Sequence, residues 1–438
     1  GEIIKMTNSI NKKKFSNAWL IVVACMLIQA IPFGVASNIH PQFLKPIMDT
    51  EGFGLGAISL MFTFGTIISA LFSPTIGKLF NKFPAKIIFT VGAIVSASGI
   101  FMLSIAGKQI VLFYLGYGIA QVGAATMSSI GIPVIMMSWF DDSLRGKATG
   151  LAFAGSGLGN IFLQQFSVNW IAQYGYAAAY QRFALLSLVV GLAVSLLFIR
   201  TAKDNSEVAV GKNKEVNTNT EEKVESKEGY TLAEATKMKA YWIFAIAFAF
   251  IGIYVSALAT QYSAFLGSEG FDKAVLGTVG SIFAACSLFG NLLGGTFYDK
   301  FGTTKTTVIG FVLALVACLS LMLAPQIPAL AYVYGVSKGV SVFAYILAPS
   351  MLVGALFGRK DFGAILGITQ VFFALGFALG SFVFGVIVDK AGYMIAWSFI
   401  LVAILVAYSM LLVAIKAMSK AKKENLANFD SNEMKKAN

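Results

Sequence analysis

The chain has 438 residues, 57% of them hydrophobic and only 12% charged, and its 33 Lys and Arg against 21 Asp and Glu give a formal charge of +12. A mean hydropathy of +0.76 excludes a soluble globular domain of this length. The three cysteines, Cys25, Cys286 and Cys318, lie in apolar runs at no metal-ligand spacing, which excludes a disulfide framework and a thiolate metal site.

Apolar runs long enough to cross ~30 Å of hydrocarbon fall near residues 18–38, 54–76, 86–106, 109–137, 146–170, 178–199, 241–266, 274–297, 304–324, 328–353, 362–388 and 393–416. These predict an all-α membrane protein of twelve transmembrane helices. Basic residues fall on alternate loops. One side holds Lys12 to Lys14, Lys78, Lys82, Lys86, Arg145, Lys147, Arg359, Lys360, the 200–240 segment and the tail; the other holds little beyond Lys45, Lys108, Arg182, Lys273 and Lys390. The positive-inside rule then puts both termini in the cytoplasm of a multi-pass cell-membrane protein and explains the net charge without a nucleic-acid partner. Lys12 to Lys14 precede the first run as in a leader, but eleven further spans follow, and the run reads as a retained signal-anchor.

Two halves of the chain repeat one another at a nearly constant offset. Trp19 falls on Trp242, Glu51-Gly52-Phe53 on Glu269-Gly270-Phe271, Gly77 on Gly295, Phe140 on Phe357 and Gly175 on Gly392. The predicted domains are a six-helix bundle over 1–199, a linker over 200–240, a second bundle over 241–416 and a polar tail over 417–438. Parallel duplication of this kind places a substrate site at mid-membrane between the halves. Residues 200–230 are polar, mixed in charge and without apolar periodicity, which predicts a flexible linker. Thr231-Leu-Ala-Glu234 has capping-box spacing, so a short helix should lead into Tyr241-Trp242.

The loop after the second span reads Gly77-Lys-Leu-Phe-Asn81-Lys82-Phe83, and the loop after the eighth reads Gly295-Thr-Phe-Tyr-Asp299-Lys300-Phe301-Gly302. Here the chain resembles the major facilitator superfamily, whose signature between spans two and three runs Gly-x-x-x-Asp-Arg/Lys-x-Gly. The resemblance implies a latch of Gly77, Lys82, Asp299 and Lys300, with Arg145 on the linker between spans four and five; Asn81 departs from the acid of the pattern. That linker, Trp139-Phe140 to Gly155-Ser-Gly157-Leu-Gly159, looks like the same segment of the monocarboxylate porters and the oxalate/formate antiporters. The lead-in Leu232 to Trp242 is similar to the latter family too. Members of these families carry an arginine in span eight for the substrate carboxylate, and the aligned position here is Asn291.

In the fold that the resemblance implies, spans one, four, seven and ten line a central cavity. Span ten places Tyr334, Lys338, Ser341 and Tyr345 at helical spacing on one face, with Lys338 about ten residues inside an apolar run, hence ~15 Å deep. A lysine there costs ~2.5–3.5 kcal/mol on insertion scales, so it should meet a partner or a water-filled cavity. The duplicate in span four presents Tyr117, Gln121 and Ser128, so lysine should face glutamine across the cavity. Span one adds Gln29, Phe33 and His40, and span seven adds Tyr254 and Tyr262, with Tyr262 matched to His40. An ammonium group, phenols and amides suit a small organic anion, a mono- or dicarboxylate.

The acidic residues near the membrane, among them Asp49, Glu51, Asp141, Glu269, Asp299 and Asp389, stand at span ends or in loops. Coupling would therefore run through His40 or Lys338 to a co-transported proton, or through exchange for a counter-anion. The expected protein is a monomeric transporter without cofactor or metal. An exporter of drugs or other amphipathic molecules is the alternative within the same fold, and a ligand sensor that moves nothing is the alternative of another class. A single histidine and no Ser/His/Asp arrangement exclude the usual enzyme constellations.

Overall fold

A computed structural model of the chain describes residues 17–210, 229–358 and 360–437. Among the described residues, ten helices are long and apolar enough to cross a membrane. One of them, Lys273–Leu323, is two helices joined at Gly302, whose φ of 75° and ψ of −175° are not helical. A further helix, Asp142–Tyr174, spans 33 residues between the fourth and the fifth of these ten and is less apolar. Together they make the expected twelve. Spans one to four are Asn17–Glu51, Leu55–Lys82, Ala85–Ile105 and Ile110–Trp139; span five is Asp142–Tyr174 and span six Tyr176–Leu197. Span seven is Lys239–Ser268, spans eight and nine meet at Gly302, span ten is Leu330–Phe357, span eleven Ala364–Ala391, and span twelve opens at Tyr393.

Glycine sets several of the turns. Gly52 and its duplicate Gly270 have φ of 80° and 87°, and Gly175 and its duplicate Gly392 have φ of 83° and 89°. Only a residue without Cβ adopts that region at little cost, so the two halves turn at duplicated places for one reason. Packing repeats as well. A Cβ added to Gly159 would lie 2.5 Å from Ala30 Cα, and one added to Gly376 would lie 3.1 Å from Ala249 Cα, with the carbonyl oxygens of Ala30 and Ala249 nearer still. Spans one and five therefore touch backbone to backbone, as do spans seven and eleven. At the opposite end of these spans Trp19 packs edge-on against Phe140 at 5.3 Å, and Tyr241 packs edge-on against Phe357 at the same distance. Tyr241, not Trp242, thus occupies the place of Trp19.

Contacts divide the described chain into two units that depart from the covalent halves in one stretch. Residues 263–285, the end of span seven and the start of span eight, belong with the first unit. Polar bonds explain it. Ser263 Oγ donates to Gln42 Oε1 at 2.6 Å, Gln42 Nε2 donates to the Leu276 carbonyl at 3.0 Å, and Ser281 Oγ donates to the Ile161 carbonyl at 2.6 Å.

The linker is more ordered at its edges than its composition predicts. Ala209 is buried in the core formed by Trp139, Phe140 and Met136. It forms a parallel bridge with Phe140, donating to the Trp139 carbonyl at 2.9 Å while Asp141 N donates to its own carbonyl at 3.1 Å. Trp139 Nε1 donates to the Arg200 carbonyl at 2.7 Å, the Arg200 guanidinium lies 4.6 Å over the Trp139 ring, and its two nitrogens reach Glu207 at 2.8 and 3.2 Å. In the second unit, Gly229 bridges Gly358, Tyr230 N donates to the Phe357 carbonyl at 2.8 Å, and Leu232 N donates to Asp361 at 2.7 Å. Phe140 and Phe357 are duplicates, so each end of the linker is pinned at an equivalent position. The capping box of Thr231 and Glu234 is formed, over the short helix Leu232–Thr236. Residues 211–228 of the linker lie outside the described residues. The tail continues span twelve as one helix, Tyr393–Ala437.

Candidate functional site

In the first unit the site residues collect where span one loses its regular winding. Pro32 lies in a π-helical turn, Gln29–Phe33, and a 3-10 turn, His40–Phe43, follows. The regular helix of span one ends at Ser37, and the carbonyls of its last turn are left for side chains to satisfy. The Ala36 carbonyl accepts Nε2 of His40 at 2.9 Å and Nε2 of Gln121 at 2.6 Å. Because a carbonyl only accepts, His40 carries its proton on Nε2, and its Nδ1 accepts from the Tyr180 hydroxyl at 3.1 Å. Both ring nitrogens are thereby occupied and the side chain is fully buried. Tyr117 packs edge-on to the imidazole at 4.8 Å. Gln29 donates to Ser128 Oγ at 2.9 Å. The structure thus brings Gln29, His40, Tyr117 and Gln121 together along the seam of spans one and four. Tyr180 of span six, which orients the imidazole, was not singled out by sequence; nothing in local spacing connects positions on two spans so distant in the chain.

In the second unit, span ten is broken beside its lysine. One helix, Leu330–Val340, ends with Lys338 in its last turn, Ser341 takes ψ of 0°, and short helices Phe343–Ile346 and Ala348–Phe357 follow. An ammonium group in the last turn of a helix is favoured by the carbonyl end of the helix dipole. Among the described residues, Lys338 is the one Lys, Arg, Asp or Glu that is buried, with 0% exposure. Its Nζ donates to the Tyr345 hydroxyl at 3.0 Å and lies 4.4 Å from the centroid of the Tyr345 ring. Of the two surroundings expected for this lysine, the structure provides a partner. Ser341 Oγ donates back to the Lys338 carbonyl at 2.9 Å. The Tyr345 ring in turn lies parallel to Phe373 of span eleven, 8° apart in plane and 6.3 Å between centroids.

The remaining tyrosines are tied to one another and to backbone. Tyr254 and Tyr408 share a hydrogen bond of 2.7 Å, Tyr334 donates to the Leu258 carbonyl, and Tyr262 and Tyr334 lie 5.5 Å apart. Phe373 and Tyr408 are additions that the sequence did not signal, because spans eleven and twelve carry no polar periodicity to draw attention to them. Asn291, at the position aligned to the family arginine, is exposed.

Of the latch residues, Lys82, Asp299 and Lys300 are exposed and Gly77 has open space beside it. Arg145 is half-buried and donates from Nη2 to the Phe140 carbonyl at 3.3 Å; it lines a polar cavity of about 540 Å³ with Asp141, Lys203 and Asp204.

A family model described as Major Facilitator Superfamily matches residues 18–274 and 240–435. The chain belongs to the major facilitator superfamily. It is 24% identical over 376 residues to the human chromaffin granule amine transporter, covering 84% of this chain and 67% of that protein. It is 24% identical over 334 residues to an MFS-type transporter of Escherichia coli K12, YhjX, covering 73% and 76%. A match of 25% identity over 183 residues to the riboflavin transporter RibJ of Trypanosoma brucei brucei covers 41% of this chain and only 33% of the relative. Among solved structures, a bacterial homologue of the human lysosomal transporter Spinster in an inward-facing, unoccupied state superposes with a TM-score of 0.71. That alignment is 16% identical and covers 92% of this chain and 98% of the other. At that identity the likeness concerns the fold, which is the two-halved, twelve-span fold described above.

Proposed function

We propose that the chain transports a small organic anion, a mono- or dicarboxylate, by alternating access, and that Lys338 holds the carboxylate. The observation that carries this reading is the single fully buried charge of the described residues, an ammonium group beside a phenol at a break in span ten. Such an ammonium gains a charge-assisted bond of the strong class when a carboxylate arrives, in surroundings of low dielectric. The resemblance of the span four to five linker to oxalate/formate antiporters and monocarboxylate porters supports the same substrate class. Tyr334, Ser341, Tyr345, Tyr254 and Tyr262 are the proposed surroundings in the second unit, and Tyr117, Gln121, Gln29 and His40 those in the first. Gly77, Lys82, Asp299, Lys300 and Arg145 are the proposed latch. The basic loops put both termini on the cytoplasmic side of a cell membrane.

Export of an amphipathic amine is the second reading, favoured by the match to an amine transporter over 84% of the chain. Against it stands the sign of the charge, since a buried ammonium repels a cationic substrate. Counterflow in proteoliposomes with labelled formate, acetate, oxalate and succinate, beside tetraphenylphosphonium, separates the two, and repeating it across a pH gradient tests proton coupling against anion exchange. Lys338→Gln should lower carboxylate counterflow at least ~tenfold, the loss of one charge-assisted bond, in protein that stays monodisperse. Unchanged counterflow in that variant refutes the assignment.

A further inference from the structure

The ammonium of Lys338 is covered. Its side chain has no exposed surface, whereas Tyr345, seven residues on, is partly exposed. Nζ touches the hydroxyl at 3.0 Å and also lies over the ring, 4.4 Å from its centroid. One aromatic side chain therefore satisfies the ammonium by both of its means, a hydrogen bond and a π face. It does so from the segment Phe343–Ile346, a single helical turn between interruptions, where Ala344 N donates to Ser341 O and Tyr345 N to Val342 O, each three residues back, while Ile346 N and Leu347 N donate four residues back to Val342 O and Phe343 O. A short turn that mixes the two bond types between breaks is cheaper to move than a continuous helix. The ring itself is laid flat against Phe373.

We propose that Tyr345 is a lid on Lys338. In the closed arrangement the phenol occupies the place that a carboxylate would take on the ammonium, and an anion loads by displacing it. Displacement trades a neutral acceptor and a π face for a charged acceptor, which a carboxylate compensates with two oxygens. The ring, once off the ammonium, carries the 343–346 turn with it, so loading alters the break in span ten. Tyr345 acts here as a positioning residue: it sets when Lys338 is available rather than supplying the charge. The inference rests on the reading of Lys338 as the anion-binding cation.

A lid and a ligand predict opposite signs. Removal of a ligand weakens binding, and removal of a competitor strengthens it. In detergent-solubilised protein, Tyr345→Ala should bind the carboxylate that gives the largest counterflow about tenfold more tightly than the unmodified chain, a factor between those of an exposed and a desolvated cation–π contact. Tyr345→Phe, which keeps the ring and loses the hydroxyl, should fall between them and serves as the control for folding. A readout that needs no substrate is acylation of the Lys338 amine by acetic anhydride, followed on the peptide around residue 338 by mass spectrometry. The initial rate should rise about tenfold in Tyr345→Ala. Equal acylation rates in the unmodified chain and Tyr345→Ala overturn the lid, as does weaker or unchanged carboxylate binding in that variant. If instead acylation rises but Lys338→Gln still binds carboxylate, the lid covers an amine that is not the anion site, and the substrate reading falls while the cover remains.

Discussion

At the scale of single residues, the charges that matter are those whose partners are fixed. Glu207 lies outside the membrane spans. The Arg200 guanidinium, aided by the Lys203 backbone N–H, holds its carboxyl down at about 2. A depressed carboxylate stabilises the folded loop above its unfolded pKa, near ~4.3, and the stabilisation is lost as pH falls through the folded value. The 200–209 segment should accordingly stay docked at pH 5 and release only in strong acid. Trp139 reports on it, since Arg200 lies over its ring: emission corrected with a Trp139→Phe control should shift in Arg200→Gln at pH 5, and titrate near pH 2 in the unmodified chain. A transition midpoint near pH 4 in the unmodified chain would show that Arg200 does not hold the carboxylate. Gln29 offers a test of buried polar pairing. Gln29→Leu leaves the Ser128 hydroxyl without its donor in an apolar layer and should cost ~1–3 kcal/mol of unfolding stability, measured by chemical denaturation in micelles.

Among elements, the closest approaches are made by glycine. Gly159→Leu and Gly376→Leu would each drive a side chain into the backbone of the neighbouring span, at Ala30 and Ala249. Overpacking of this kind costs ~1–3 kcal/mol, and thermal unfolding in detergent should show comparable losses for the two variants because the contacts are duplicates. Gly146→Ala, within a helix and where no atom lies within 4 Å of the added carbon, should hold or raise the melting temperature. Much of this architecture is legible in sequence. Span number follows from apolar length, the turns at Gly52, Gly175, Gly270 and Gly392 from the repeat, and the helix start at Thr231 from its capping box. The breaks within spans are harder to read. Pro32 and Pro349 signal irregularity, but the interruption at Ser341 has no proline, and an apolar run looks the same whether its helix is whole or broken. Side-chain direction is lost for a similar reason: His40 fits a polar face by spacing, yet the turn at 38–40 sends it to the Ala36 carbonyl and Tyr180. The ordered edges of the linker leave no mark in its composition, because Ala209 and Gly229 are held by backbone bridges.

Over the whole molecule, duplication explains the helices better than it explains the contacts. The repeat places the chain midpoint in the linker, whereas residues 263–285 bond to the first unit through Gln42, Gln165 and the Ile161 carbonyl. Buried carboxamides in an apolar layer are costly when unpaired. A fragment ending at residue 210 should for that reason be cleared rapidly in cells, while one ending at 285 should persist several times longer, as pulse-chase labelling would show; equal half-lives would mean that the polar bonds carry little of the stability. The same stretch has a consequence in time. The first six helices are synthesised before the segment that completes their polar contacts exists, and at ~5–20 residues per second the ribosome needs roughly 4–15 s more to reach it. Through that interval Gln42 and Gln165 have yet to meet the partners that residues 263–285 bring, and the first half completes its polar contacts only once residue 285 has emerged.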